Sequence, residues 1–256
     1  MTVRAIYEEL SSVPSLRPSP GVNELFARLV GAALARTSCS HGLSPGELGR
    51  LQALCSAGEY ELERFWAQEI ASAGNPHGAL RRFPYFQNYA ALASLEWSSL
   101  AACRRHRAHS LLFCGGGPLP LTAILLALDH GVCSTVIDAS REAVELSRCV
   151  VEALGLEQMI AIVEADARTY DRYQEFNTVF IAALAGADDR SKTAILRRIG
   201  LATARDTHVM ARSSWGNRTL LYRPLPRAIY RELVPVTEVR PGADVVNSIV
   251  IFKSHG

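Results

Sequence analysis

The feature that most restricts what this chain can fold into is the stretch Leu111-Leu-Phe-Cys-Gly-Gly-Gly-Pro-Leu-Pro-Leu-Thr-Ala-Ile-Leu-Leu-Ala-Leu128. It begins as an apolar run, stops at Gly115, Gly116 and Gly117, and resumes as an apolar segment of helical length. That order reads as a buried strand, a tight turn and a helix. Pro118 and Pro120 suit the first turn of such a helix, where a missing N–H is tolerated. Glycines in the turn also let the backbone approach a ligand that side chains would hold off.

A second apolar run, Thr135-Val-Ile137, leads into Asp138. This acid lies about twenty residues past the glycines, where a carboxylate can accept hydrogen bonds from ribose hydroxyls. The combination reads as the nucleoside-cofactor crevice of a Rossmann-like sheet. A plain strand-to-helix turn would also use glycine, and the acid after the second strand favours the crevice. The dinucleotide fingerprint is not met, because Pro120 stands where its third glycine would be. S-adenosylmethionine, which has no pyrophosphate, therefore fits better than NAD.

Two later segments belong to the same crevice. Asp166, in Val163-Glu-Ala-Asp-Ala167, follows the third predicted strand. It is either a helix cap or a carboxylate beside the adenine. Ala182-Ala-Leu-Ala-Gly186 follows the fourth strand and offers the backbone of Ala182 and Ala183 as a pocket floor or lid. The Asp-Pro-Pro-Tyr-like motif of base-modifying methyltransferases is absent there.

At 256 residues the chain can bury a sizeable core, as one large domain or two modest ones. Its net charge of +2 gives no case for nucleic acid, and the basic cluster Arg104-Arg-His-Arg107 falls at a predicted helix end, where cations suit the dipole. The six cysteines form no C-x-x-C pair and read as reduced, small core residues of a cytoplasmic protein. The histidines show no H-E-x-x-H, so no metal site is predicted. Acids at Glu8 and Glu9 argue against a signal peptide, and no apolar run reaches membrane-spanning length.

Residues 1–107 are predicted to be helical and residues 108–256 to form the Rossmann-like domain, with the first covering the second. Helices are expected over Val3–Leu10, from a cap at Asn23, from Ser44-Pro45, from Glu59 to Ala73, and after a cap at Asn88. Strands are placed near 110–114, 133–137, 159–163, 177–182 and 207–212, alternating with helices as in a parallel α/β sheet. Val234–Val239 and Val245–Phe252, flanking Arg240-Pro-Gly-Ala-Asp244, read as a final antiparallel pair.

Five segments, in order, resemble those of nicotianamine synthases. They are Phe83-Pro-Tyr-Phe-Gln-Asn-Tyr89, Gly115-Gly-Gly-Pro-Leu-Pro-Leu-Thr122, Ala182-Ala-Leu-Ala-Gly186, Ser214-Trp-Gly-Asn-Arg218 with Leu221-Tyr222, and Val246-Asn-Ser-Ile249. The resemblance runs from about Glu61 onward; residues 1–58 are similar only in being helical. Length and the short N-terminal region look closer to the bacterial branch, which makes opine metallophores of the staphylopine and pseudopaline type. The fold implied is that of class I S-adenosylmethionine-dependent transferases.

The resemblance implies that the 3-amino-3-carboxypropyl group of S-adenosylmethionine, not its methyl, is transferred to the α-amine of an amino acid, with methylthioadenosine released. It implies histidine as acceptor, a downstream opine dehydrogenase as partner, and allows a homodimer. The acid–base positions it implies are Tyr85 and Glu63, with Gly115, Gly116, Gly117, Pro118, Asp138, Asp166, Ala182 and Ala183 holding the co-substrate. Arg212 and Arg218 are candidates for gripping a substrate carboxylate through a planar fork. Phe86 replaces a second tyrosine of the plant pattern, which removes a hydroxyl from the substrate pocket, so acceptor and product length are expected to differ; Gly116 replaces a serine, a conservative change for backbone approach. An ordinary methyltransferase and a non-catalytic S-adenosylmethionine-binding accessory protein are the rival expectations.

Overall fold

The computed structural model describes residues 2–35, 41–104, 110–186, 188–242 and 245–255. Cys39, Arg105-His-Arg107, the predicted domain boundary at residue 107 and Asp244 lie outside the described residues.

Strand β1 (Leu111–Cys114) is buried at every position, as a strand covered on both faces must be. It lies between β2 (Ser134–Asp138) and β4 (Thr178–Ile181), parallel to both. With β3 (Ile160–Glu164), β5 (His208–Ser213), β6 (Leu233–Val239) and β7 (Ser248–Ser254), the sheet order is β3-β2-β1-β4-β5-β7-β6. The first five strands are parallel, and β7 runs antiparallel between β5 and β6. The predicted antiparallel pair is present, with β7 starting three residues later than expected. Strand order reverses between β1 and β4, and ligands of open α/β sheets bind outside the carboxyl ends of strands at such a point. The glycine turn leaves β1 at that end.

Helices α1 (Val3–Ser12), α2 (Pro20–Leu34), α3 (Pro45–Ser72), α4 (Pro76–Arg81) and α5 (Phe86–Cys103) precede the sheet. Ser19, not Asn23, caps α2, because Pro20 opens the helix one turn earlier. Ser44 and Glu47 form a reciprocal capping box at the start of α3. The segments expected as separate helices after Ser44 and Glu59 are one continuous helix. Gly58 does not break it: a Cβ there would lie 2.2 Å from Cζ of Phe26, so the glycine serves close approach of α2. Asn88 lies inside the first turn of α5, whose cap position is Tyr85, with no side-chain bond.

Helices α6 (Leu121–His130), α7 (Arg141–Ala153) and α8 (Asp189–Ala202) cross between strands. One core runs without interruption from Ala67 and Ile70 of α3 and Leu92 and Leu100 of α5 to Phe113 of β1 and Ile124 of α6. The other sheet face packs Ile137, Tyr173, Leu196 and Phe252. Cys55 and Cys114 are buried thiols pushed up to about 12 by desolvation. Cys133 and Cys149 are exposed, contrary to the core placement expected for them. No helix among the described residues is long and apolar enough to cross a membrane.

A buried ion pair ties α5 to the sheet. Arg212 of β5 donates to both carboxylate oxygens of Glu96, from Nε at 2.7 Å and Nη2 at 3.0 Å, and Nη2 also donates to Thr122 of α6. Glu96 is 1% exposed and Arg212 7%. Glu96→Ala should therefore leave a buried, unpaired guanidinium and cost about 3–5 kcal/mol of stability, read from urea unfolding. An unchanged unfolding midpoint would show that this pair does not hold the helix to the sheet.

Candidate active site

The glycine turn is shaped by backbone conformations that side chains resist. Gly115 and Gly117 have φ of +83° and +63°. At Gly116 the obstacle is space, since a Cβ would lie 2.2 Å from Cγ1 of Val136. The turn is tied down from three sides. Gly115 and Gly116 N–H donate to the Ile137 carbonyl at 2.9 and 3.3 Å. Gly117 N–H donates to Oδ2 of Asp138 at 2.9 Å, and Ser147 Oγ donates to the Gly117 carbonyl at 2.6 Å. Oδ1 of Asp138 accepts from Ser140 N–H at 2.9 Å. An ionised carboxylate has about four acceptor positions, so half of its capacity is left for a ligand.

This turn forms one wall of a cavity of about 400 Å³. Gly115, Gly116, Gly117, Asp138, Asp166, Ala182, Ala183, Glu63 and Arg212 all line it, so most of the predicted site residues come together. Pro118 is buried and is not part of the lining. The Asp166 carboxylate is forked by its neighbour Arg168, with Nε at 3.0 Å and Nη2 at 2.5 Å. That bonding holds its carboxyl below the usual range, so it stays an acceptor. The carbonyls of Ala182 and Ala183 point onto Lys192 Nζ at 2.9 and 2.8 Å. Burial, helped by the charge of Arg212, brings this ammonium down to about 7.

Three predicted residues are placed differently from what their chemistry or the resemblance suggested. The Arg212 fork is occupied by Glu96, and so is not open to grip a substrate carboxylate. Arg218 is outside the lining: it donates to the carbonyls of Val245 and Gly242 and stacks 4.0 Å over the Trp215 ring. Its guanidinium fastens the loop before β7. Tyr85 is half-buried and also outside the lining, with its ring 6.2 Å from Phe83 in an edge-on contact.

The opposite wall comes from α3 and α5. Glu59 and Glu63, one helical turn apart, both line the cavity and are otherwise surrounded by protein. Tyr89 Oη lies 2.8 Å from Glu59 Oε1 and 3.4 Å from Glu63 Oε1. Tyr222 donates to the other oxygen of Glu59 at 2.8 Å. Burial raises the Glu59 carboxyl, against the tyrosyl hydrogen bonds and the charge of Arg212. Burial raises Glu63 further, and the charges of Glu59 and Asp138 add to it. Burial and Glu59 push the phenols of Tyr89 and Tyr222 well above their ordinary range, so both remain donors. Oε2 of Glu63 lies 2.6 Å from where a Cβ on Gly117 would be, so the acid reaches across to the glycine turn.

Sequence reasoning missed Glu59, Glu96, Tyr89, Tyr222 and Asn247 as site residues. A signal existed for Glu59: Ser56, Glu59, Tyr60 and Glu63 recur at helical spacing on one face. Tyr222 and Asn247 fall within segments that carry the family resemblance, but nothing in their residue type or spacing assigned them a place in the site. Asn247 lines the cavity with a buried Nδ2 that has no hydrogen-bond partner among the described residues.

The raised carboxyls fix a pH dependence. An acid held above its ordinary value of 4.5 binds its proton more tightly in the folded state than in the unfolded one. Stability from Glu63 is therefore complete below about pH 4.5 and declines as pH rises toward the folded value. Glu63→Gln should raise the melting temperature relative to the native chain, by a margin that widens from pH 5 to pH 8. Parallel melting curves across that range would show that Glu63 is not a strained buried acid.

Comparison with known proteins agrees with this fold. The sequence profile described as "Nicotianamine synthase protein" matches residues 1–256, taking in the N-terminal helices that resembled the family only in being helical. Nicotianamine synthase 3 of Oryza sativa subsp. indica is 34% identical over 265 residues, covering 95% of this chain and 75% of the relative. Nicotianamine synthase 2 of Arabidopsis thaliana is 30% identical, covering 98% and 82%. The crystal structure of MtNAS in complex with MTA and tNA has a TM-score of 0.86 at 25% identity, covering 99% of this chain and 97% of that one. A glutamate-to-glutamine variant of MtNAS in complex with S-adenosylmethionine superposes with a TM-score of 0.85. The S-adenosylmethionine-dependent methyltransferase SibL shares the fold at a TM-score of 0.51. The chain belongs to the nicotianamine synthase family.

Proposed function

We propose that this chain transfers the 3-amino-3-carboxypropyl group of S-adenosylmethionine to the α-amine of an amino acid and releases methylthioadenosine. The observation that carries this reading is Glu63, an enclosed acid that reaches the glycine turn across one cavity. The chain is an S-adenosylmethionine-dependent transferase of its family, and the family members bound to MTA and to S-adenosylmethionine support the choice of co-substrate.

The residues present fit that molecule. The glycine turn gives room for close backbone approach, and Asp138 keeps free acceptor positions for ribose hydroxyls. Asp166, ionised and at the cavity edge, suits an adenine amine. When bound, S-adenosylmethionine supplies a sulfonium whose attached carbons are all open to attack. Orientation then selects the outcome, and such positioning contributes on the order of 7–11 kcal/mol in well-oriented systems.

Glu63 is read as the proton acceptor for the incoming amine. The α-ammonium of a free amino acid loses its proton above about pH 8, far from an ordinary carboxylate, so raising the acid narrows the mismatch. Tyr89 is the hydroxyl beside it. Tyr85, given that role by resemblance, stands behind the lining among the aromatic rings and is assigned here to shaping the wall. Histidine is proposed as acceptor by resemblance to the bacterial opine branch, with an opine dehydrogenase acting next. The same reading takes residues 1–107 as the cover over residues 108–256, in a cytoplasmic protein able to form a homodimer.

Incubation with S-adenosylmethionine and a panel of amino acids, followed by mass spectrometry, should yield methylthioadenosine and an adduct of one acceptor. S-adenosylhomocysteine as the product would establish a methyltransferase instead. Asp138→Ala should weaken S-adenosylmethionine binding by about 1.5–3 kcal/mol, the range for a charge-assisted hydrogen bond. Unchanged affinity by calorimetry would mean that ribose lies elsewhere.

A further inference from the structure

Glu59 and Glu63 differ in how their oxygens are served. Both oxygens of Glu59 accept from tyrosyl hydroxyls, Tyr89 and Tyr222, each at 2.8 Å. Tyr89 has one proton, and the shorter contact shows where it goes. Glu63 is left with the 3.4 Å contact on Oε1, while Oε2 faces the glycine turn. Hydrogen bonds to a carboxylate favour its charged form, so the proton shared by this half-buried pair belongs on Glu63.

The surroundings reinforce the division. Helix α3 brings Cys55 near Glu59, and α5 brings Tyr85 and Tyr89. Asp138 at the end of β2 adds negative charge toward Glu63. Arg212 on β5 is the cation whose charge reaches both acids, and its fork is held by Glu96. Two carboxylates one turn apart in this setting cannot both ionise without cost.

We propose that Glu59 is a positioning residue for Glu63: it is the ionised anchor of two tyrosyl hydroxyls, and its fixed charge makes Glu63 the proton-accepting member of the pair. This rests on the reading of Glu63 as base given above. The step is a proton transfer alone. The acceptor's ammonium N–H bond breaks, its electron pair stays on nitrogen, and Glu63 takes the proton and later releases it to water. Tyr89, touching both acids, holds them in register while this happens.

The test is the pH profile of kcat/KM for Glu59→Gln, measured with S-adenosylmethionine and the acceptor found by the panel. Removing the charge should shift the acid limb at least one pH unit lower and reduce the plateau about tenfold, as a weaker base requires. An acid limb left in place, with activity lowered evenly at all pH values, would make Glu59 merely structural and overturn the proposal. Tyr222→Phe removes one donor from Glu59 without touching Glu63, and should move the limb in the same direction by a smaller amount. This variant carries the test if Glu59→Gln does not fold, and an unmoved limb in it overturns the proposal equally. Glu63→Gln separates the two readings. If it keeps normal turnover, the base assignment itself fails; if it is inactive while the other variants show unshifted limbs, only the role of Glu59 fails.

Discussion

Three carboxyls, Glu59, Glu63 and Glu96, gather near one guanidinium, Arg212, which of the three bonds only Glu96. The arrangement is costly in a low-dielectric interior, and much of the molecule is built around containing it. Tyr89 and Tyr222 supply donors where cations are lacking, and Arg212 lies 5.7 Å from the ring centroids of both Tyr89 and Phe113. What the protein leaves unneutralised faces the cavity. A pocket with surplus negative charge on one wall and a glycine turn on the other is suited to a ligand carrying positive charge at its centre.

The fold delivers these groups from opposite directions. Strand order reverses between β1 and β4, which opens the crevice at the carboxyl ends of the strands and puts Gly115, Gly117 and Asp138 on its rim. Helices α3 and α5 then lie across that opening and share a core with the sheet face below. Glu59, Glu63 and Glu96 are carried on long helices, the first two on α3, which opens on a capping box, so their placement is set by helix packing. Lys192 adds a further restraint by drawing the carbonyls after β4 onto its ammonium, and Gly186, with φ +87°, completes that bend.

The sheet was legible in the sequence because its determinants are local. Apolar runs ending in glycine or an acid mark β1 and β2, and the last antiparallel pair is flanked by a Pro-Gly turn. Helix boundaries were less legible: Gly58 looks like an interruption until Phe26 is seen to occupy the space where its side chain would be. The glycine turn, Asp138 and Glu63 could be named because their residue types follow from ligand chemistry or from resemblance. The partners of Glu63 could not. Tyr89 has the same aromatic signature as Tyr85, and only packing decides that the former hydrogen-bonds to the acids from within the cavity while the latter stays outside its lining. Arg212 looked like a free fork because its partner lies 116 residues away in the chain.

The central claim is that the cavity recognises a positive centre because its acids are under-neutralised. S-adenosylmethionine and S-adenosylhomocysteine differ by one methyl group and the sulfonium charge, so they isolate that property. Their binding constants, measured by calorimetry between pH 5.5 and pH 8.5, test it directly. The account predicts that the sulfonium is preferred and that the preference grows with pH as Glu63 gives up its proton. Equal affinity for the two molecules at every pH would contradict it.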